Sequence, residues 1–263
     1  MKATAIISFL FVLVSCTSNK DGRTDNFKTD VSRKSSKDDI TIITDDSKTL
    51  SAYYFYNADQ KEKAQPLVVL IHQFMLNKDQ WSTSFIDSLL RNNYKVLAYD
   101  MRGHGKSSKV EYELTKLLSD PNEAPTDVKA VFKWAKNQKG IDSTRIAVIG
   151  TSIGGNLACY AKYSQGAKVV VAISNSKDGF YAMNGIDERM MTMGRPMQRI
   201  SNVLLICGSK DGKHEQDQKD IYDNWLMDPK DMKVYDSDKH GKYLLVEHPE
   251  IYGVIGSWLQ KYL

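Results

Sequence analysis

Arg145-Ile-Ala-Val-Ile-Gly150-Thr-Ser152-Ile-Gly154-Gly155 is the stretch that decides the fold. The apolar run 146–149 leads straight into Gly150-Thr151-Ser152-Ile153-Gly154, a G-x-S-x-G pentapeptide followed by the small residues Gly155 and Ala158. The pattern gains meaning from this context of strand, tight turn and helix. A serine there sits on a strained turn with its hydroxyl exposed. Side chains at positions 150 and 154 would collide with neighbouring backbone, so both positions require glycine. The N–H of Ile153, at the helix N-terminus, would face the same space and could stabilise an oxyanion. The pentapeptide by itself also describes an ordinary glycine-rich turn; the flanking strand and small residues favour a nucleophile at Ser152.

Outward from this turn, strand-like apolar runs at 67–71, 96–99, 146–149, 169–173, 203–207 and 232–235 alternate with helical periodicity. The helical patterns lie near 79–92, 126–137, 154–163, 216–225 and 249–262. Such alternation predicts an α/β fold with a mostly parallel twisted sheet and helices on both faces. Ligands of such sheets bind beyond the carboxyl ends of the strands. Segments 40–43 and 50–56 read as two antiparallel leading strands. No internal repeat is visible.

The N-terminus has a different character. Lys2 precedes an apolar segment, 5–14, too short to span a bilayer but suited to a signal peptide. It ends in Leu13-Val-Ser-Cys16, which resembles a bacterial lipobox whose cysteine takes the lipid. Residues 1–15 are therefore expected to be a lipoprotein signal peptide. Residues 16–39 are expected to be the lipidated Cys16 and a flexible polar tether, and 40–263 the catalytic domain. This places the protein in a bacterial cell envelope, attached to the membrane through its lipid anchor. Cys159 and Cys207 lie in apolar contexts and read as buried free thiols, although the oxidising envelope leaves a bridge open. The chain carries 36 basic and 32 acidic residues, and no basic cluster is interleaved with aromatics, so nucleic acid is not an expected partner.

Several motifs in order now resemble the α/β-hydrolase superfamily over roughly 40–263. Val68-Val-Leu-Ile-His72-Gln73-Phe74 resembles the strand entering that family's His-Gly oxyanion loop. Asp100-Met-Arg102-Gly-His104-Gly105-Lys-Ser107 resembles its D-x-R-G-x-G-x-S turn. Residues 150–154 match its nucleophile elbow, and Leu204-Leu-Ile-Cys-Gly-Ser-Lys-Asp211 the strand that carries its acid. Lys239-His240-Gly241 falls where the family places its histidine. The order Ser, Asp, His is the family's order. The resemblance implies Ser152 as nucleophile, His240 as general base and Asp211 as the acid that orients it. It implies an oxyanion hole made by the N–H groups of Phe74 and Ile153. One departure is Gln73, where the family usually has glycine; it leaves the conformation of the oxyanion loop open.

Given that fold, His72 and His104 are expected to order loops, His214 to be exposed, and His248 to start a helix. Asp178 competes with Asp211 because some relatives place their acid there; the G-x-x-D context favours Asp211. No His/Cys cluster has metal-ligand spacing and no dinucleotide or Walker fingerprint is present, so neither metal nor cofactor is expected. The segment 175–202, where relatives insert a cap, allows only a minimal lid. Its Phe180, Tyr181, Met183, Met190, Met191 and Met193 read either as a packing helix or as an apolar wall beside the serine. Phe74, Met75 and Met190 are the expected substrate contacts. The chain looks most like small dienelactone-hydrolase-like and acyl-esterase relatives. The expected activity is cleavage of small carboxylic esters, with short acyl groups favoured, through an acyl-enzyme. The alternatives are a prolyl-oligopeptidase-like peptidase or amidase, and a non-catalytic binding lipoprotein on the same fold.

Overall fold

The computed structural model of the chain describes residues 34–110, 116–117, 120, 122–186 and 198–263. Eight strands form one sheet: β1 (Ser35–Ile43), β2 (Thr49–Asn57), β3 (Gln65–Ile71), β4 (Lys95–Tyr99), β5 (Ile141–Thr151), β6 (Val169–Ile173), β7 (Val203–Gly208) and β8 (Lys230–Tyr235). Their order across the sheet is β1-β2-β4-β3-β5-β6-β7-β8. β1 with β2 and β2 with β4 pair antiparallel; every pair from β4 to β8 is parallel. The helices are α1 (Thr83–Arg91), α2 (Ala124–Lys136), α3 (Ile153–Tyr160), α4 (Lys177–Asn184), α5 (His214–Trp225), α6 (Lys242–Glu247) and α7 (Ile251–Tyr262).

The two hydrophobicity patterns in the sequence map onto two kinds of strand. β3, β4 and β6 are buried at every position, and their stretches 67–71, 96–99 and 169–173 read as unbroken apolar runs. β1 and β2 alternate, because their outer face meets water. Within the central strands, successive residues enter two separate cores. Leu67, Val69 and Ile71 of β3 pack in the layer that contains Val128 of α2, Leu157 of α3 and Trp225 of α5. Val68 and Leu70 pack in the opposite layer, with Phe85 and Leu89 of α1 and Ile251, Ile255 and Trp258 of α7. The sheet is thus covered on both faces, as the alternating elements predicted. Among the described residues no helix is long and apolar enough to cross a membrane.

Two elements extend beyond the sequence reading. β1 begins at Ser35, inside the stretch 16–39 expected as tether. Ser35 pairs with Asn57, and the register continues to Ile43 opposite Thr49. An edge strand forms through backbone bonds and does not need two apolar faces, so the polar run Ser35-Ser-Lys-Asp-Asp39 joined it without announcing itself. α6 is a helix of six residues, too short to show a periodicity.

The loop after β4 is fixed by buried ion pairs. Asp100, fully buried, accepts from Lys78 N–H at 2.7 Å, Lys78 Nζ at 2.6 Å and Lys106 N–H at 2.8 Å. Arg102 donates from its backbone N–H and its Nε to the two oxygens of Asp127 on α2, at 2.8 and 2.7 Å. Its Nη1 also meets Asp46 at 3.0 Å and Glu123 at 3.3 Å. Asp100 and Arg102 are therefore turn-holding residues. Removing one member of such a pair leaves an uncompensated buried charge. Asp127→Ala should lower the unfolding free energy by about 3–5 kcal/mol. Urea denaturation would show this as a lower midpoint with an unchanged slope; a loss under about 1 kcal/mol would mean that Asp46 and Glu123 hold Arg102 without Asp127.

Candidate active site

Four chain segments leave the carboxyl edge of the sheet close together: 72–75 after β3, Ser152 after β5, Asp211 after β7 and His240 after β8. At Ser152 the backbone stands at φ 54, ψ −118. This is a region that L residues rarely adopt and that costs about 1–3 kcal/mol. The surroundings enforce it. A Cβ at Gly150 would lie 1.9 Å from the carbonyl oxygen of Gly154, and one at Gly154 would lie 2.3 Å from the carbonyl oxygen of Ile71. The elbow therefore closes only with glycine at both places, and it presses the start of α3 onto the end of β3. Ser152 N–H donates to Ile173 O on β6 at 2.7 Å, which holds the turn from the other side. Ser152 itself is half-buried.

His240 and Asp211 meet side chain to side chain. His240 Nδ1 lies 2.9 and 3.1 Å from the two carboxylate oxygens of Asp211. A carboxylate can only accept, so Nδ1 carries a proton, and in the neutral ring Nε2 then keeps its lone pair. Asp178 lies elsewhere, exposed at the start of α4 and paired with Lys213 at 2.7 Å; that hydrogen bond holds its carboxyl below the usual range.

Gln73 turns out to be a connector. Its side-chain Oε1 accepts the N–H of Lys242 at 2.7 Å, at the first turn of α6 and two residues from His240. Its backbone N–H donates to Gln80 Oε1 at 3.1 Å, and Gln80 Nε2 donates to Thr151 Oγ1 at 3.0 Å, beside Ser152. Gly241 N–H donates to Ser174 Oγ at 3.0 Å. Gly241 has φ 54, and a Cβ there would sit 2.4 Å from Gln73 Oε1 and 3.4 Å from Thr151 Cβ. The chain neighbours of Ser152 and His240 are thus in contact. Gln73, Gln80 and Ser174 were not singled out for this part in the sequence, because each acts on a partner far away in the chain; the glutamine in place of glycine was the only signal.

His72 orders the loop entry. Its Nδ1–H donates to Gln73 O at 2.8 Å and its Nε2 accepts Met101 N–H at 3.0 Å. Burial pushes its pKa down to about 4, so it stays neutral. Phe74 is half-buried, with its ring edge-on to His104 at 5.3 Å. Ile153 is buried at the head of α3, where a first-turn N–H has no acceptor within its own helix. Met75, next to Phe74, is 74% exposed at φ 65. Met190 and Cys16 lie outside the described residues. Of the methionine-rich segment, Met183 is buried in the core together with Phe180 and Tyr181, which pack on Trp225; these three belong to a packing helix.

His214 departs from its expected exposure. It is half-buried at the start of α5, with its ring 4.6 Å from that of His240 at 37°. Burial lowers its pKa. Cys159 and Cys207 are buried free thiols whose pKa burial pushes up to about 12, so neither offers a competing thiolate. Two open grooves, of about 580 and 390 Å³, are lined by other residues than Ser152, Asp211 and His240.

Known proteins share this framework. A family profile described as "alpha/beta hydrolase fold" matches residues 66–176. An uncharacterised 31.7 kDa protein from the traX–finO intergenic region of Escherichia coli is 29% identical over 121 residues, 46% of this chain and 41% of that protein. The chain thus matches about two fifths of that relative's length. An esterase from Pyrococcus furiosus superposes with a TM-score of 0.62 at 22% identity, over 86% of this chain and 91% of the esterase. An acetyl xylan esterase from Paenibacillus sp. R4 superposes with a TM-score of 0.66 at 17% identity, over 93% of this chain and 87% of the enzyme. At these identities the likeness is one of architecture: the chain has the α/β-hydrolase fold.

Proposed function

We propose that this chain is a serine hydrolase that cleaves carboxylic esters of small acyl groups. The observation that carries the reading is a pair: Ser152 held in a strained elbow at the head of α3, and His240 bonded through Nδ1 to Asp211. His240 Nε2 takes the proton of Ser152 as its oxygen attacks the acyl carbon. The N–H groups of Phe74 and Ile153 stabilise the oxyanion. His240 returns the proton to the leaving alcohol, and an acyl-enzyme remains. Water then repeats the sequence and releases the acid. Asp211 keeps His240 in the productive tautomer and stabilises the imidazolium. The two esterases among the structural neighbours agree with this reading at the level of fold.

Labelling with a fluorophosphonate probe tests the nucleophile. The wild type should be labelled and Ser152→Ala should not, while far-UV circular dichroism stays the same. Residual kcat in Ser152→Ala above about a hundredth of wild type would refute the assignment. Asp211→Asn should lower kcat by about 10⁴, the cost of the wrong tautomer; Asp178→Asn should change it little. The reverse pattern would move the acid to Asp178.

Short acyl groups are expected because the insert 175–202 is short and its described part is packed into the core rather than left free as a lid. Each further methylene gains only about 0.8 kcal/mol where apolar surface can receive it. With nitrophenyl esters, kcat/KM should peak at acetyl to butyryl; a steady rise to palmitoyl would contradict this.

The lipobox at Leu13-Val-Ser-Cys16 supports a membrane-anchored envelope protein. Cys16→Ser should move the protein from the membrane pellet to the soluble fraction or leave it unprocessed. Wild-type protein recovered wholly in the soluble fraction would rule the anchor out.

A further inference from the structure

Three side chains that can ligate a metal converge where the linear spacing showed none. Asp211, His214 and His240 each present a ligand atom, and these atoms lie within 4.8 Å of one another. Asp211 and His214 come from the β7–α5 connection, while His240 arrives from the loop after β8. The cluster has a second mark of a site. Nδ1 of His214 is buried and has no hydrogen-bond partner. A buried imidazole nitrogen left without a partner costs free energy, and such orphans call for a specific explanation. The Asp211–His240 pair explains two of the three groups; it gives His214 no role.

We propose that Asp211, His214 and His240 form a binding site for a divalent transition metal of the zinc class, and that occupation of the site switches the hydrolase off. Two imidazole nitrogens and one carboxylate oxygen suit zinc and its neighbours, whereas calcium and magnesium want oxygen ligands. Zinc–nitrogen and zinc–oxygen bonds of about 2.0–2.2 Å put tetrahedral ligands about 3.3–3.5 Å apart. The Asp211–His240 edge is 2.9 Å and must open slightly. The edges to His214 must close by about 1.5 Å at most, which side-chain rotation supplies. Three protein ligands leave a fourth position for water.

The inhibition follows from proton bookkeeping and rests on the triad reading above. In the metal-free chain the proton of neutral His240 sits on Nδ1, facing Asp211. A metal at Nδ1 needs that lone pair, so the ring keeps its one proton on Nε2 instead. Nε2–H cannot accept the proton of Ser152. The metal thus imposes the unproductive tautomer without entering the substrate site, and its removal restores the productive one.

The test uses the untagged full-length chain, freed of metal by chelation. Calorimetric titration with zinc chloride should show one ion bound per chain. The same zinc should inhibit nitrophenyl acetate hydrolysis, and EDTA should restore it; calcium and magnesium at equal concentration should not inhibit. His214→Phe keeps a ring against His240 but has no ligand atom. It should retain basal hydrolysis within about twofold and lose at least about tenfold in zinc affinity, since even outer partners of metal ligands are worth that much. His248→Gln, at the other histidine that meets carboxylates, should leave the zinc response unchanged. Absence of zinc uptake by the wild type, or full uptake by His214→Phe, overturns the site. Zinc uptake that depends on His214 without loss of hydrolysis overturns the switch. If the metal-free wild type hydrolyses no ester, the hydrolase reading fails, and the calorimetry still decides the metal site.

Discussion

The site depends on a place where backbones touch with no room for a side chain between them. Gly154 packs on the end of β3 through the carbonyl of Ile71, and Gly150 packs on Gly154 itself. This double contact sets the distance between β3, β5 and α3, and so fixes Ser152 relative to the loop that begins at His72. The strain at Ser152 is sustained because the sheet on one side and α3 on the other are already committed. Burial of β3 and β4 at every position supplies that commitment, since a one-residue slip of either strand would send each side chain into the opposite core. The two cores are thus what keeps the elbow closed.

A second layer of constraint is polar. The turn at Asp100 and Arg102 is held by buried carboxylate–cation pairs, and His72 reaches across to it through Met101 N–H. The loop bearing Phe74 is therefore tied to β4 as well as to the elbow. His72 can serve there because burial keeps it neutral, with one nitrogen donating and one accepting.

Much of this was legible in the sequence. The apolar runs gave the parallel strands and their order of appearance, because strands buried on both faces cannot hide. The elbow, the Asp100–Ser107 turn and the Asp211 and His240 contexts were legible because each is a local pattern tied to one backbone shape. What was not legible involves partners remote in sequence. His214 read as exposed because its environment is made by His240, brought in by another strand. Gln73 read as a departure without a purpose, since its acceptor role needs Lys242 N–H. The start of β1 at Ser35 was hidden because an edge strand can be recruited by backbone pairing alone.

The bond from Gln73 to Lys242 has a mechanical meaning. In a loop with glycine at that position, the 72–75 loop and the loop bearing His240 could shift independently. Here the amide of Gln73 spans them, and Gly241 is pressed against it. The 72–75 loop and the histidine loop are tied together, with Gln80 extending the tie to Thr151. Any displacement of the 73–75 loop is therefore transmitted to the loop that carries His240.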